Sequence, residues 1–338
     1  MRVLIVKTSS LGDVLHTFPA VTDALKQRPD LEFHWLVEEA FQAVPDWHPG
    51  VSMTVPFALR RWRKHWLKSW RSGQIKALRQ QLQTADYDLV IDAQGLLKSL
   101  WAARMTGSTL AGYDWRSARE SLASLGYHLR YSVPKNLHAI TRIRHLFAQA
   151  LEYSIPNSIA DYGLSIPAGK RRNSIVFLHS TTWESKHWPE TYWIELAKLA
   201  AQAGYSVELP WLESNERLRA ERIIRHCPQA ALLPRMNLTE MKNTLASAAG
   251  VVGVDTGLSH ITAAVETPAV TLYGPTDPAL TGSFGKRQNN LNSHFPCAPC
   301  LRKHCQQPGE QNIHPPCFKH LEPPTVWAAL QARMEKAA

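Results

Sequence analysis

A single carboxylate follows the first apolar run of the chain. The stretch VKTSSLGDVLH, residues 6–16, passes through a short polar turn to Gly12 and Asp13. The dipole of a following helix favours a carboxylate there and lowers its pKa. Such a group can also act as a general base when a substrate hydroxyl reaches it. The residues alone leave both roles open for Asp13.

Two later turns of the same kind carry side chains suited to phosphate. HSTTWESKHWP, residues 179–189, places hydroxyls and Lys186 beside a predicted helix N-terminus. VDTGLSH, residues 254–260, places Asp255 before the N–H groups of another. Helix capping is the alternative at each turn, but the pair favours a nucleotide diphosphate in the second half of the chain. The hydroxyls and backbone amides concerned belong to Ser180, Thr181, Thr182, Thr256, Gly257 and Leu258.

A basic, tryptophan-rich segment covers residues 59–79, LRRWRKHWLKSWRSGQIKALR. Trp62, Trp66 and Trp70 recur every four residues, which puts them on one side of a helix. Indoles interleaved with cations favour contact with an anionic lipid or phosphoglycan. Stacking on single-stranded nucleic acid and ordinary core packing are the alternatives.

Four cysteines, Cys297, Cys300, Cys305 and Cys317, crowd into the tail, whereas Cys227 stands apart. Cys297 and Cys300 form a C-x-x-C pair, to which His304 or His314 could add a zinc ligand. A loop of reduced cysteines without a metal is the equal alternative.

These groups must be positioned by alternating strands and helices. Apolar, β-branched runs at RVLIVK, FHWLVEE and YDLVIDAQG predict buried parallel strands, with a helix from about Gly12 to Lys26. A Pro-, Gly- and Ser-rich stretch at 154–174 resembles a linker, after which SIVFLHS, YSVELPW, GVVGVD and AVTLYGP predict further strands. We therefore predict an α/β protein of two Rossmann-like domains, 1–165 and 166–338, facing across a cleft. The last helical segment could pack on either domain.

Composition limits the class of protein. The chain is 44% hydrophobic with a net charge of +10, and no run of about 18 apolar residues occurs. The basic balance favours an anionic partner. A P-loop motif is missing, and the first turn has one glycine where a dinucleotide fingerprint has three. The start of the chain reads as an uncleaved, cytoplasmic N-terminus.

Several of these segments together resemble one known family. VKTSSLGDVLHTFPA, RRWRK, IDAQGL, TTWESKHWP, LPW…SNE and VDTGLSHITAA…YGPTDP are similar, in order from residue 1 to about 285, to the ADP-heptose:lipopolysaccharide heptosyltransferases. That family has the GT-B glycosyltransferase fold. The resemblance implies an inverting transfer of L-glycero-D-manno-heptose from ADP-heptose to Kdo-lipid A, at the cytoplasmic face of the inner membrane.

The resemblance also implies roles for individual residues. Asp13 takes the position of the general base, and Lys186 would offset the charge of the departing ADP without a metal. Gly12, where a side chain would crowd the incoming hydroxyl, is counted with the donor-site residues. The other implied donor-site residues are Ser180, Thr181, Thr182, Glu216 at the ribose, Asp255, Thr256, Gly257 and His260.

For the anionic acceptor, the resemblance implies a basic surface on the first domain. The expected contacts are Arg60, Arg61, Arg63, Lys64, Gln94, Arg119 and Arg142. Transfer of a second or later heptose is one alternative, and the cysteine-rich tail is more like those of related heptosyltransferases. A non-catalytic basic binding protein for lipid or nucleic acid is the alternative from another class.

Overall fold

The computed structural model describes residues 1–65, 69, 71–165, 169, 171–309 and 313–336. The chain divides into two compact units, Met1–Leu164 and Ser165–Ala338, called unit 1 and unit 2 below. We expected the boundary one residue later, between residues 165 and 166. Trp66 and Trp70 of the predicted tryptophan stripe lie outside the described residues.

Unit 1 is built on a parallel six-stranded sheet in the order β3-β2-β1-β4-β5-β6. Its strands are β1 (Arg2–Val6), β2 (Glu32–Glu38), β3 (Val51–Phe57), β4 (Leu89–Asp92), β5 (Leu110–Tyr113) and β6 (Leu129–Tyr131). Its helices are α1 (Leu11–Leu15), α2 (Phe18–Gln27), α3 (Leu59–Lys64), α4 (Gln74–Thr84), α5 (Leu97–Arg104) and α6 (Ala139–Ala150).

Unit 2 repeats this plan with the sheet order β12-β11-β10-β7-β8-β9, again with parallel pairing. Its strands are β7 (Arg172–Leu178), β8 (Ser206–Leu209), β9 (Ala230–Leu232), β10 (Ala248–Val254), β11 (Ala269–Tyr273) and β12 (Gln288–Asn292). Its helices are α7 (Glu190–Gln202), α8 (Ser214–Ile224), α9 (Leu238–Ser247), α10 (Gly257–Ala264), α11 (Pro278–Thr281) and α12 (Pro323–Glu335).

Both sheets have the doubly wound topology, which confirms the predicted pair of Rossmann-like folds. The strand order reverses between β1 and β4 in unit 1 and between β7 and β10 in unit 2. In open α/β sheets, ligands bind beside the carboxyl ends of the strands at such a reversal. Asp13 follows β1, and Asp255 follows β10, so each lies at one of these two points.

The prediction of one continuous helix over residues 12–26 is wrong. The structure has two helices there, α1 and α2, and Pro19 lies in the first turn of the second. Proline lacks an N–H and fits the first turn of a helix, where that donor has no partner within the helix. The break leaves Asp13 on a short helix of five residues.

The final helix packs within unit 2. α12 contacts α7, β10, β11 and β12, and its Val326, Trp327 and Leu330 belong to the apolar core of that unit. The sequence left open on which of the two domains this helix packs, and the structure shows that it packs on the second. Among the described residues, no helix is both long and apolar enough to span a bilayer.

The start of α9 offers a test of unit 2 stability. Asn237 caps this helix, since its Oδ1 accepts hydrogen bonds from the N–H groups of Thr239 (2.9 Å) and Glu240 (3.0 Å). Asn237→Ala is expected to lower the free energy of unfolding of unit 2 by about 1 kcal/mol, because two helix donors lose their acceptor. Urea denaturation measures this, with the exposed loop residue Asn157 replaced by alanine as control. An equal loss in both variants would contradict the cap.

Candidate active site

Asp13 lies in a compact polar cluster at the end of β1. Its Oδ2 accepts hydrogen bonds from the N–H (2.9 Å) and the hydroxyl (3.0 Å) of Ser10. The Nζ of Lys7 lies 3.8 Å from Oδ1. The Asp13 side chain keeps 29% of its surface exposed, whereas that of Lys7 keeps 8%. The carboxylate is therefore held in place and still open to a substrate.

The charge state of Asp13 follows from these neighbours. Burial on its own raises the pKa of the Asp13 carboxyl, but the charge of Lys7, the two hydrogen bonds from Ser10 and the charge of Arg119 outweigh it. The pKa of Asp13 therefore lies below its usual range. Asp13 is ionised at neutral pH, as a proton acceptor must be.

Lys7 was not predicted as a site residue from the sequence, although it directly follows β1. Burial lowers the pKa of the Lys7 ammonium, against the opposing attraction of Asp13 and Asp92. Its Nζ also donates to the carbonyl oxygen of Ala93 (2.9 Å), which ties the loops after β1 and β4 together. A lysine at the end of an apolar strand is the only signal that the sequence contained.

Gln94, which was expected to contact the acceptor, is hydrogen-bonded to the loop before Asp13. Its Oε1 accepts from the N–H (2.7 Å) and the hydroxyl (2.8 Å) of Thr8, and its Nε2 donates to the carbonyl of Ser9 (2.7 Å). Asp92, fully buried, accepts from the Gln94 N–H (2.9 Å) and from the hydroxyl of Tyr127 (2.7 Å). Gln94 thus positions the loop that leads to Asp13, and its contact with the acceptor stays a prediction.

A group of cations surrounds this loop. The Nζ of Lys98 donates to the hydroxyl of Ser9 (2.9 Å), and sequence reasoning missed this lysine. Arg142 lies over the ring of Tyr113 (5.0 Å) and donates to the carbonyl of Ser117 (2.6 Å). Its buried Nε has no hydrogen-bond partner among the described residues. With exposed Arg119, these side chains give the Asp13 loop the positive charge expected for binding an anionic acceptor.

The RRWRK block contains one buried ring, Trp62, and four exposed cations. Arg61 pairs with Glu39 (3.1 Å) and donates to Gln74 (2.8 Å), so its guanidinium is already engaged. Trp62 is buried, and its ring meets Phe57 edge-on, which assigns this member of the stripe to the core rather than to lipid. Arg60, Arg63 and Lys64 of the block are exposed, as is Arg61.

The influence of Lys7 on Asp13 is testable by pH dependence. In the unmodified chain, the acid limb of kcat/KM is expected below the usual range of an aspartate, because the pKa of Asp13 is lowered. Lys7→Met removes the largest of the influences that lower the pKa of Asp13. Burial then raises this pKa, so the acid limb of kcat/KM moves to higher pH. Rate profiles measure the shift, with the surface variant Lys26→Met as control. An unmoved limb in Lys7→Met would overturn the assignment.

The second cluster, in unit 2, joins two residues that the sequence placed in separate motifs. The Nζ of Lys186 lies 2.7 Å from the Oδ2 of Asp255, with 15% and 11% of the two side chains exposed. The hydroxyl of Thr276 also donates to that Oδ2 (2.7 Å), and this threonine was not foreseen. Lys186 lies over the ring of Trp183, 4.5 Å from its centroid. Carboxylate and indole together orient the ammonium.

The hydroxyls predicted to bind phosphate lie on the same loop as Lys186. Thr181 donates to the main-chain carbonyl of Asp255 (3.1 Å), which joins the loops after β7 and β10. The hydroxyl of Ser180 lies 3.0 Å from the Nδ1 of His179. Burial lowers the pKa of His179 to about 3, so this imidazole is neutral. Thr182 is exposed.

Gly12 lies on α1 of unit 1, and the remaining donor-site predictions in unit 2 lie at two helix starts. Thr256 is the N-cap of α10, Gly257 is its first residue, and His260 is buried one turn on. Glu216 lies in the first turn of α8, where its Oε2 accepts from the N–H groups of Leu212 (2.8 Å) and Glu213 (3.2 Å). The structure thus gives Glu216 a capping contact, and its ribose role stays a prediction.

The tail cysteines line a cavity of about 270 Å³ in unit 2. All four are free thiols. Burial, and to a smaller extent the nearby cysteines, raises the pKa of the Cys317 thiol to about 12. Across the described part of the chain, no three His, Cys, Asp or Glu side chains form a group that could hold a metal ion. The cysteine loop contacts the Lys186 loop, since the N–H of Ser185 donates to the carbonyl of Lys303 (3.0 Å).

Sequence comparison relates the chain to a family of known proteins. Residues 75–310 match the family model of glycosyltransferase family 9 (heptosyltransferase). The chain is 49% identical to lipopolysaccharide heptosyltransferase 1 of Pseudomonas aeruginosa, over 99% of this chain and 98% of that relative. It is 47% identical to the protein of the same name from Escherichia coli K12, over 85% and 92% of the two chains.

Solved structures show the same relationship. E. coli heptosyltransferase WaaC with ADP matches with a TM-score of 0.87 and 42% identity, over 98% of this chain and 100% of that chain. E. coli ADP-heptose lps heptosyltransferase II shares the fold, with a TM-score of 0.76 at 18% identity.

Together, the two doubly wound sheets and these matches define a glycosyltransferase of the GT-B fold. The chain belongs to the heptosyltransferases of glycosyltransferase family 9 and transfers heptose in lipopolysaccharide core biosynthesis. The predicted family, fold class and enzymatic activity are confirmed, and the non-catalytic alternative is wrong.

Proposed function

We propose that this enzyme transfers the first L-glycero-D-manno-heptose from ADP-heptose to a Kdo hydroxyl of Kdo-lipid A, with inversion at the anomeric carbon. The observation that carries the proposal is the ionised, part-exposed carboxylate of Asp13 within a group of cations. The relatives named lipopolysaccharide heptosyltransferase 1 support this acceptor over a later one.

In the proposed reaction, Asp13 takes the proton of the attacking hydroxyl. The resulting oxygen nucleophile forms the new bond to the anomeric carbon as the bond from that carbon to the diphosphate oxygen breaks. ADP leaves with the bonding electrons, and attack from the opposite side inverts the configuration. A base ionised at neutral pH and fixed by two hydrogen bonds from Ser10 suits this step.

For the donor, we infer that unit 2 binds the ADP part of ADP-heptose. Lys186 and the first N–H groups of α10 supply the positive charge that a diphosphate needs as it departs. A solved relative, E. coli WaaC with ADP-2-deoxy-2-fluoro heptose, supports a nucleotide-heptose donor. A lysine and a helix N-terminus can supply this charge without a metal, so we propose a metal-independent transfer.

For the acceptor, we infer binding by unit 1. The anionic headgroup would meet the exposed Arg60, Arg63 and Lys64 and the cations near Asp13. Because this acceptor is a lipid, the enzyme would act as a peripheral protein at the cytoplasmic face of the inner membrane. Nucleic acid is not a proposed partner.

An acceptor assay tests the proposal. Purified enzyme is given ADP-heptose with either Kdo-lipid A or the acceptor that already carries one heptose. We expect transfer to Kdo-lipid A alone, with the anomeric configuration of the product read by NMR. Transfer only to the mono-heptosylated acceptor would assign a later heptose addition. A product with retained configuration would exclude direct displacement by the hydroxyl.

A further inference from the structure

Unit 1 exposes a group of large apolar side chains that the transfer reaction does not use. They lie on α5 and on the following 3₁₀ segment, Ser121–Gly126. This group, called the apolar face below, consists of Leu97 (47% exposed), Trp101 (36%), Leu122 (56%) and Leu125 (60%).

The members of the apolar face lie on two adjacent elements. Leu97 and Trp101 are four residues apart on α5, and Leu122 and Leu125 are three apart in the 3₁₀ segment, so each pair lies on one side of its element. The N–H of Leu97 donates to Glu120 at 2.7 Å, beside the start of the 3₁₀ segment. At its other end, a Cβ on Gly126 would lie 2.5 Å from Leu100 of α5. The two elements therefore run side by side.

Positive charge surrounds the apolar face. Lys98 and the exposed Arg104 lie on α5 itself, and Arg119 precedes the 3₁₀ segment. The ring of Trp101 meets Trp62 edge-on (6.5 Å), which brings exposed Arg63 and Lys64 of α3 near. Of the nearby carboxylates, Glu38 is buried, and Glu120 is exposed and accepts the Leu97 N–H, so cations outnumber exposed carboxylates here.

From these observations, we propose that the apolar face and its cations form the surface by which unit 1 docks on a bilayer of anionic phospholipids. Leucine and tryptophan side chains enter the interface while lysine and arginine meet the headgroups. A symmetric contact with a second copy would set the same cations against each other, in a chain of net charge +10. Charge therefore favours lipid over self-association.

Docking by this surface would bring the Asp13 loop to the membrane. Lys98 on α5 donates to the hydroxyl of Ser9, one residue before the Ser10 that binds Asp13. A lipid-anchored acceptor would then reach the base without leaving the bilayer. The inference rests on the proposed peripheral location and specifies the residues responsible for it.

The test is vesicle co-sedimentation of the full chain without donor or acceptor. The unmodified enzyme is expected to bind phosphatidylglycerol vesicles, more weakly at high salt, and phosphatidylcholine vesicles less. A double variant, Leu122→Asp with Leu125→Asp, is expected to bind the anionic vesicles at least about tenfold more weakly, because two apolar groups no longer enter the interface. Leu218→Asp on α8 of unit 2, where the leucine is 56% exposed, is the matched control and is expected to bind normally.

Two results would overturn the docking surface. One is equal vesicle binding by the double variant and the unmodified enzyme. The other is a dimer of the unmodified enzyme that dissociates in the double variant, seen by sedimentation velocity, since the face would then serve self-association. If the aspartates prevent folding, Leu122→Ser with Leu125→Ser replaces them.

Transfer to a soluble, acyl-free Kdo acceptor separates this inference from the proposed function. The double variant is expected to keep that activity, which also shows that it is folded. If the unmodified enzyme transferred heptose to neither the soluble acceptor nor Kdo-lipid A, the proposed function would be rejected. Vesicle binding would still test the docking surface, because that assay contains no donor or acceptor.

Discussion

Asp13→Asn is expected to lower kcat by about 10²- to 10⁴-fold while ADP binding is unchanged. The amide has nearly the shape of the carboxylate, and its oxygen can still accept the hydrogen bonds that Ser10 donates at 2.9 and 3.0 Å. It cannot take a proton from the acceptor hydroxyl. The loss therefore falls on the chemical step, and calorimetry with ADP together with steady-state rates measures both quantities.

The control for this variant is Asp30→Asn. Asp30 is an exposed carboxylate of unit 1 that pairs with Arg28 at 2.9 Å, and its loss is expected to leave kcat unchanged. The pH profile adds a second readout, because the acid limb assigned to Asp13 should vanish in Asp13→Asn. A variant that kept most of the activity of the unmodified enzyme would show that another group accepts the proton.

Local sequence patterns explain which residues of the two sites could be predicted. Asp13, Lys186 and Asp255 each lie in a strand-turn-helix segment, and such turns gather at the carboxyl ends of parallel strands. Those three residues could therefore be found before their surroundings were known. The doubly wound fold followed in the same way from apolar runs separated by helices.

Contacts between distant segments could not be foreseen. The amide of Gln94 binds residues 86 and 85 positions away, Thr8 and Ser9, and nothing local in the sequence points to these contacts. Likewise, nothing local in the sequence points to the pairing of Arg61 with Glu39. The edge strand β12 was not predicted, for a further reason. Its sequence, QNNLN, lacks the apolar alternation that predicts a strand.

Lys186→Met is expected to lower kcat by about 10²- to 10³-fold and to weaken ADP binding. Its ammonium lies 2.7 Å from Asp255 beside the start of α10, where a diphosphate would gain charge as the sugar leaves. Removing one oriented charge of this kind from a transition state typically costs that factor. Rates and ADP calorimetry measure the effect, with exposed Lys198→Met on α7 of unit 2 as control.

A purely structural role for Lys186 makes a different prediction, because the lysine also neutralises the carboxylate of Asp255, 11% exposed. Were that its sole task, Asp255→Asn combined with Lys186→Met would remove the unpaired charge and restore activity. We expect thermal stability to recover in the double variant, since the asparagine no longer needs a cation. Turnover should stay low, because the departing diphosphate still lacks its positive partner. Recovered turnover would reduce Lys186 to a partner of Asp255.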